Sequence, residues 1–280
     1  MKSLCTKVFS GLGLARPVFR LREWIRALGF RKHSVVCPDG LPIPPARLIV
    51  LVTGSADARW YVEGGRLAAE VICETLTEAG IDVRTLGSIF DFGCGCGRVL
   101  RHWPNLTRAA LFGSDCNPKL IRWCRSHLPF AQFQLNTLEP RLEYADEQFE
   151  FGYALSVLTH TPEGLQEPWI NELWRVVRPG GYLLMTTQGN EFLGKLNVQE
   201  RNQYHEGRIV VRFENAAGTN LCSTYHPQSY VRQRLAGKFS LTLCRAGAAR
   251  GNGNQDIYLL RKSSMCTELP QRSFQTVGPE

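Results

Sequence analysis

Between Ile89 and Arg98 the chain reads Ile-Phe-Asp-Phe-Gly-Cys-Gly-Cys-Gly-Arg, an apolar run closed by an acid and then glycine at every second position. Glycine adopts positive φ freely and carries no Cβ to hold a ligand away from the backbone. The apolar run predicts a buried strand, and Val99-Leu100-Arg101-His102-Trp103 predicts the start of a helix. That succession aims a helix's unpaired N–H groups and positive end at whatever sits on the turn. The nearest other pattern is the dinucleotide fingerprint Gly-x-Gly-x-x-Gly. It would need glycine at position 98 or 100, where Arg98 and Leu100 stand. Asp91, two places before the first glycine, also suits a cationic amino-acid group better than a pyrophosphate. Taken alone, the run reads equally well as an ordinary tight turn.

The downstream order carries more. A second strand, Ala109 to Gly113, ends at Ser114-Asp115-Cys116-Asn117, and a helix from Pro118 to Leu128 follows with Asn117 as its cap. A carboxylate at that strand end can accept both hydroxyls of a ribose. Phe149 to Ser156 reads as a buried fourth strand. Glu172 to Met185 reads as a helix stopped by Pro179, a Gly180-Gly181 reversal and a fifth strand. In this order, Asp91-x-Gly93-x-Gly95-x-Gly97, Asp115 and Pro179-Gly180-Gly181 resemble class I S-adenosylmethionine-dependent methyltransferases. The resemblance runs from about Ser88 to Thr187 and more weakly to Lys262.

The resemblance implies an α/β, Rossmann-like, seven-stranded and mostly parallel sheet with helices on both faces. Its last strand would be antiparallel and inserted between the fifth and sixth. It also implies S-adenosyl-L-methionine as cofactor, held by Asp91, Gly93, Cys94, Gly95, Gly97, Asp115 and Cys116. Asn136 and Thr137 occupy the place where the family has an acid contacting the adenine amine. Ser156 follows strand four, and Trp60 or Tyr61 stands where an aromatic closes over the cofactor. His160, just past strand four, is the candidate base, since an imidazole titrates near neutrality. Tyr204, His205, Tyr225 and His226 are candidate substrate contacts.

The resemblance leaves three functions open. The first is a methyltransferase acting on a small molecule. A nucleic-acid methyltransferase is the second, although base-methylating relatives carry Asn/Asp-Pro-Pro-Tyr/Phe where Ser156-Val157-Leu158-Thr159 stands here. A binding module without transfer is the third, and the intact glycine turn and Asp115 argue against it. Cys94-x-Cys96 lacks the paired Cys-x-x-Cys of zinc sites, so no metal is expected. Cysteines scattered through apolar segments suggest reduced thiols and a cytoplasmic protein.

The charge is uneven. Residues 1–32 hold eight basic side chains against Glu23 alone, while the whole chain carries +8. Val18, Leu21, Trp24, Ile25 and Leu28 share one helical face and Arg20, Arg22 and Arg26 the other. Such a helix suits packing on the domain, peripheral contact with an anionic membrane, or targeting. Little positive charge is left elsewhere for phosphates, so a nucleic-acid partner is not expected. The organisation read from the sequence is an arm (1–37), a linker with a short strand at Leu48–Val52 (38–56) and a methyltransferase domain (57–262). Its first helix would run from Arg66 to Ala79. An insertion at about 190–222 interrupts the domain, and a tail (263–280) ends the chain.

Overall fold

The structure is a computed structural model that describes Pro17, Leu21, residues 23–26, Cys37 and residues 39–263. The expected tail, apart from Ser263, and most of the arm lie outside the described residues. Seven strands form one sheet: β1 (Ser88–Phe92), β2 (Ala110–Asp115), β3 (Ala131–Leu135), β4 (Phe149–Ala154), β5 (Val177–Thr187), β8 (Ser240–Ala249) and β9 (Gln255–Arg261). Their order is β3-β2-β1-β4-β5-β9-β8, parallel through β5, with β9 antiparallel to both its neighbours. The order reverses between β1 and β4, and a crevice outside the carboxyl ends of the strands opens where that happens.

Strand alternation builds a core on each face. Ile89 and Tyr153 face a cluster with Ile72, Leu76 and Trp103, whereas Phe90, Phe149 and Met185 face one with Trp169, Leu173 and Tyr258. The first cluster is covered by α1 (Ala46–Thr53), α2 (Ala58–Glu78) and α3 (Pro118–His127), and the second by α4 (Glu163–Val176). The insertion contributes α5 (Val198–His205) and the pair β6 (Val210–Arg212) and β7 (Ser223–Tyr225). Then α6 (Gln228–Tyr230) widens into a π turn over Val231–Leu235.

Three local expectations are corrected. The run Leu48–Val52 is helical within α1, because Gly54 accepts a left-handed C-terminal position and Leu48, Ile49 and Val50 form one buried patch. The first long helix begins at Ala58 rather than Arg66, since Asp57 caps it by accepting from the N–H groups of Arg59 and Trp60. After the glycine turn the chain forms only a 3₁₀ segment, Leu100–Asn105, with Pro104 inside it.

The segment read as a linker is bound to the domain. The Arg101 guanidinium, 1% exposed, pairs with Asp39 at 2.6 Å and donates to the Leu41 carbonyl at 3.0 Å. Among the described residues no helix is long and apolar enough to cross a membrane.

Candidate functional site

The glycine turn is fastened from below. The N–H groups of Gly93 and Cys94 both donate to the Ser114 carbonyl at the end of β2, at 2.8 and 2.9 Å. Gly93, Gly95 and Gly97 have φ of 80°, 59° and 76°, the left-handed region that side chains disfavour. A Cβ at these positions would also lie 2.4 Å from Val157, 2.8 Å from Val52 and 2.3 Å from Leu128. The protein's own packing therefore demands glycine, and a side chain there would strike the core before any ligand. Tyr61, fully buried, donates its hydroxyl to the Cys96 carbonyl at 2.7 Å, so it supports the turn from the core. Trp60, 40% exposed, lies against Gly64.

Asp91 is buried beneath the turn. The Tyr153 hydroxyl bonds its carboxyl and in turn accepts the Trp103 indole N–H at 2.9 Å. Burial pushes the carboxyl up to about 8, against the opposing pull of Tyr153 and of Arg98. The Arg98 guanidinium is itself held by the Gly251 carbonyl at 3.1 Å and by Asn252.

Asp115 stands half-buried at the end of β2. One carboxylate oxygen accepts the Gly95 N–H at 3.0 Å and the other the Asn117 N–H at 2.8 Å. Burial raises its pKa to about 6 and these two bonds oppose the rise. Each oxygen keeps a lone pair for a further donor. Nearby, Asn136 donates its amide to the Thr137 carbonyl at 2.7 Å, which settles which end is oxygen. Its buried Oδ1 has no partner among the described residues. Leu138 and the Cys116 thiol, both packed against Gly218, add apolar walls. A pair of acceptors for two hydroxyls, an orphan acceptor for an amine and apolar walls between them fit a purine nucleoside. Thr137 closes its own turn with Glu139 instead.

Past β4, Ser156 is left-handed at φ 63°. Its N–H donates to Thr186 Oγ1 at 2.8 Å, Thr186 donates to Gln255 Oε1 at 2.7 Å, and Gln255 donates back to Ser156 Oγ at 2.6 Å. Because the Thr159 hydroxyl already donates to the Ser156 carbonyl, the Ser156 hydroxyl must donate to Thr159. Ser156 thus spends its only hydroxyl hydrogen on the scaffold. His160 follows, half-buried. Its Nδ1 lies 2.7 Å from the Cys222 carbonyl, which can only accept, so Nδ1 carries the hydrogen and Nε2 the lone pair. Burial holds the imidazole pKa below its ordinary value, and the Cys222 bond partly offsets this.

The aromatic residues expected at the substrate belong to the insertion's own core. Tyr204 and Tyr225 are buried with Phe192, Leu196 and Val210, and the Tyr204 hydroxyl shares its one hydrogen between the His226 carbonyl and Asn190 Oδ1, each at 3.0 Å. His226 is fully enclosed, with Nε2 3.1 Å from Gln166 Oε1. Both Gln166 amide hydrogens go to carbonyls, so His226 donates through Nε2, and its Nδ1 has no partner among the described residues. Sequence reading also passed over Thr186, Gln255, Gln166 and Asn220. Their partners lie 99 and 169 positions away for Gln255 and Asn220, beyond any local pattern.

Residues 90–185 match the model of a methyltransferase-domain family. A mitochondrial ubiquinone biosynthesis O-methyltransferase of Dictyostelium discoideum is 27% identical over 124 residues, 40% of this chain and 38% of that protein. The match thus spans well under half of that relative's length. Among solved structures, a Burkholderia thailandensis 1,6-didemethyltoxoflavin-N1-methyltransferase aligns with TM-score 0.52 at 12% identity, covering 72% of this chain and 80% of that one. Human N-acetylserotonin methyltransferase, in complex with S-adenosylmethionine, aligns with TM-score 0.50 at 14% identity, covering 78% of this chain and 56% of that one. At such identities the structures speak for the fold, and the family match speaks for the motif-bearing sheet. Residues 90–185 thus carry a methyltransferase domain, and the strand order and glycine turn around them are those of the class I, S-adenosylmethionine-dependent fold.

Proposed function

We propose that this domain methylates a small-molecule acceptor and that His160 receives the acceptor's proton. The observation that carries the reading is the His160 tautomer: Nδ1–H is spent on the Cys222 carbonyl, and nothing among the described residues bonds Nε2. An imidazole held this way, below its ordinary pKa, is neutral at pH 7 and keeps the Nε2 lone pair to accept a proton. Bound S-adenosylmethionine supplies a methyl group already activated by its sulfonium. Asp115 would take the ribose hydroxyls and Asn136 Oδ1 the adenine amine, while the insertion keeps water from the acceptor side. The insertion's bonds to His160, from the Gly218 N–H and to the Cys222 carbonyl, put folded chain on that side and support a small acceptor over a nucleic acid. We assign the catalytic domain to residues 57–262, with the 39–45 segment and α1 held against it. Incubating the protein and isotope-labelled donor with a small-molecule extract, and separately with RNA, tests the acceptor class by mass spectrometry. Label is expected in the small-molecule fraction, and His160→Gln should slow that transfer roughly 10²–10⁴-fold. Label in RNA alone overturns the acceptor class, and full turnover by His160→Gln overturns the base.

We also propose that the arm rests on an anionic membrane from the cytoplasmic side. Leu21, Trp24 and Ile25 are helical and 55%, 59% and 56% exposed, so the domain does not cover them as packing would require. Val18 and Leu28 of the same stripe lie outside the described residues. Arg26 reaches the Gly54 carbonyl at 2.9 Å and joins the helix to the end of α1. Each basic residue near such a surface contributes about 1 kcal/mol, and salt weakens it. Full-length protein should sediment with phosphatidylserine vesicles at low salt, and a Trp24→Ser/Ile25→Ser variant should not. Equal sedimentation of the two removes this reading.

A further inference from the structure

Residues 213–222 cross the mouth of the crevice as a strap. The strap leaves β6 through Phe213 at φ 54°, makes a 3₁₀ turn over Glu214–Ala216 and enters β7 after Cys222. It touches both sides of the site. On the nucleoside side, Gly218 lies against Leu138 and the Cys116 thiol, where a Cβ would come within 2.6 Å of Leu138 and 3.1 Å of the sulfur. On the acceptor side, the Gly218 N–H donates to the His160 carbonyl at 2.9 Å, and the Cys222 carbonyl accepts His160 Nδ1–H at 2.7 Å.

One side chain fastens the strap to the rest of the domain. The Asn220 amide donates to the Leu51 carbonyl at 2.9 Å and the Val50 carbonyl at 3.3 Å. The Leu51 carbonyl belongs to the last turn of α1, where a helix leaves acceptors without intrahelical partners, and the Val50 carbonyl also accepts the Gly54 N–H at 2.9 Å. Asn220 therefore caps a helix about 170 residues earlier in the chain. The capped turn also carries Val52, which packs on Gly95 of the glycine turn. Glycine turn, α1, Asn220, strap and His160 form one unbroken run of contacts.

We propose that Asn220 is a positioning residue: by capping α1 it seats the strap across the crevice, and the seated strap sets the tautomer and orientation of His160. The proposal rests on His160 as the base only for its catalytic consequence; the tautomer is a property of the folded chain. A second consequence follows from the same contacts. The strap lies over the nucleoside side, so it must part for a nucleoside ligand to leave, and Asn220 slows that parting.

The test labels histidine with ¹⁵N in full-length protein and reads the His160 ring by NMR, with S-adenosylhomocysteine release followed by stopped flow. Asn220→Leu keeps the size and loses both donors. It is expected to convert the single Nδ1–H signature of His160 into a mixture, to raise hydrogen exchange in 214–222, and to speed release about tenfold, as loss of two hydrogen bonds implies. Asn220→Gln retains an amide and should restore part of each effect, which general destabilisation would not do. His226, buried outside the strap, reports global folding in the same spectra. An unchanged His160 signature in a folded Asn220→Leu protein overturns the proposal, as does equal disturbance of His160 and His226. Full turnover by His160→Gln would remove the base assignment and leave the tautomer result unaffected.

Discussion

Two buried titratable side chains, Asp91 under the parallel sheet's glycine turn and His226 just past β7 against α4, are displaced in opposite directions by the same cause. Each pays for desolvation of its charged form, so the acid holds its proton to about 8 and the imidazole refuses one until about 3. Their surroundings differ in what they offer to a charge. Asp91 has the Tyr153 hydroxyl and the Arg98 cation nearby, both of which favour its ionised form. His226 has a neutral amide partner and no carboxylate that shifts it. The sheet end is thus an environment in which an added cation would ionise Asp91. The ground between β7 and α4 is dry and keeps the imidazole neutral.

The largest effect that would break this contrast lies at His226. Its folded pKa is depressed, so its contribution is present above the unfolded value of 6.5 and is lost as pH falls toward about 3. Each pH unit in that window should cost roughly 1.4 kcal/mol. His226→Asn retains an N–H for Gln166 and does not titrate. Urea unfolding of both proteins at pH 7, 6, 5 and 4 should show the wild type losing stability relative to the variant at that slope. Parallel curves would mean that the ring is solvated or paired in the native state.

Asp91 should behave with the opposite sign. Its folded pKa is raised, so its contribution is complete below about 3.8 and is lost as pH climbs through about 8. Asp91→Asn keeps an acceptor for Tyr153 and removes the charge. The variant should match the wild type near pH 4 and exceed it at pH 8, where thermal melts are expected to separate by several degrees. It should also bind S-adenosylmethionine more weakly, because the ionised acid is what a cationic ligand recruits. A variant that is less stable than wild type at pH 8 would show that Asp91 is ionised in the free protein.

The same contrast explains what could be read in advance. Gly93, Gly95, Gly97 and Asp115 are meaningful by spacing because a strand, its turn and the next strand end are neighbours in sequence and space. Their surroundings also settle on one answer, as the double donation from Gly93 and Cys94 to Ser114 shows. The insertion has no such shortcut. Tyr204 and Tyr225 look like substrate contacts in a sequence, and only their packing against Phe192 and Val210 reveals a core. The run Leu48–Val52 has the residues of a buried strand, yet Gly54 and the patch beneath it select a helix. Asn220 gives no signal at all, since its partners are the last carbonyls of α1.

The smallest effect sharpens the sheet side alone. Asp115 uses one lone pair on each oxygen to hold Gly95 and Asn117, and in the function proposed above the remaining pairs take the ribose hydroxyls. Asp115→Asn keeps one oxygen and replaces the other with a donor that opposes a backbone N–H or a ribose hydroxyl. Loss of a hydrogen bond to a charged group costs about 1.5–3 kcal/mol, so S-adenosylhomocysteine should bind roughly 10- to 150-fold more weakly by calorimetry. Because the carboxyl sits near 6, wild-type affinity should also fall between pH 7.5 and 5 as the second acceptor is lost to protonation. The variant has no proton to gain there, so its affinity should be nearly level across the same range. A wild type that binds equally at both pH values, with the fold intact, would mean that the ribose is held elsewhere. The nucleoside side would then rest on Asn136 Oδ1 alone.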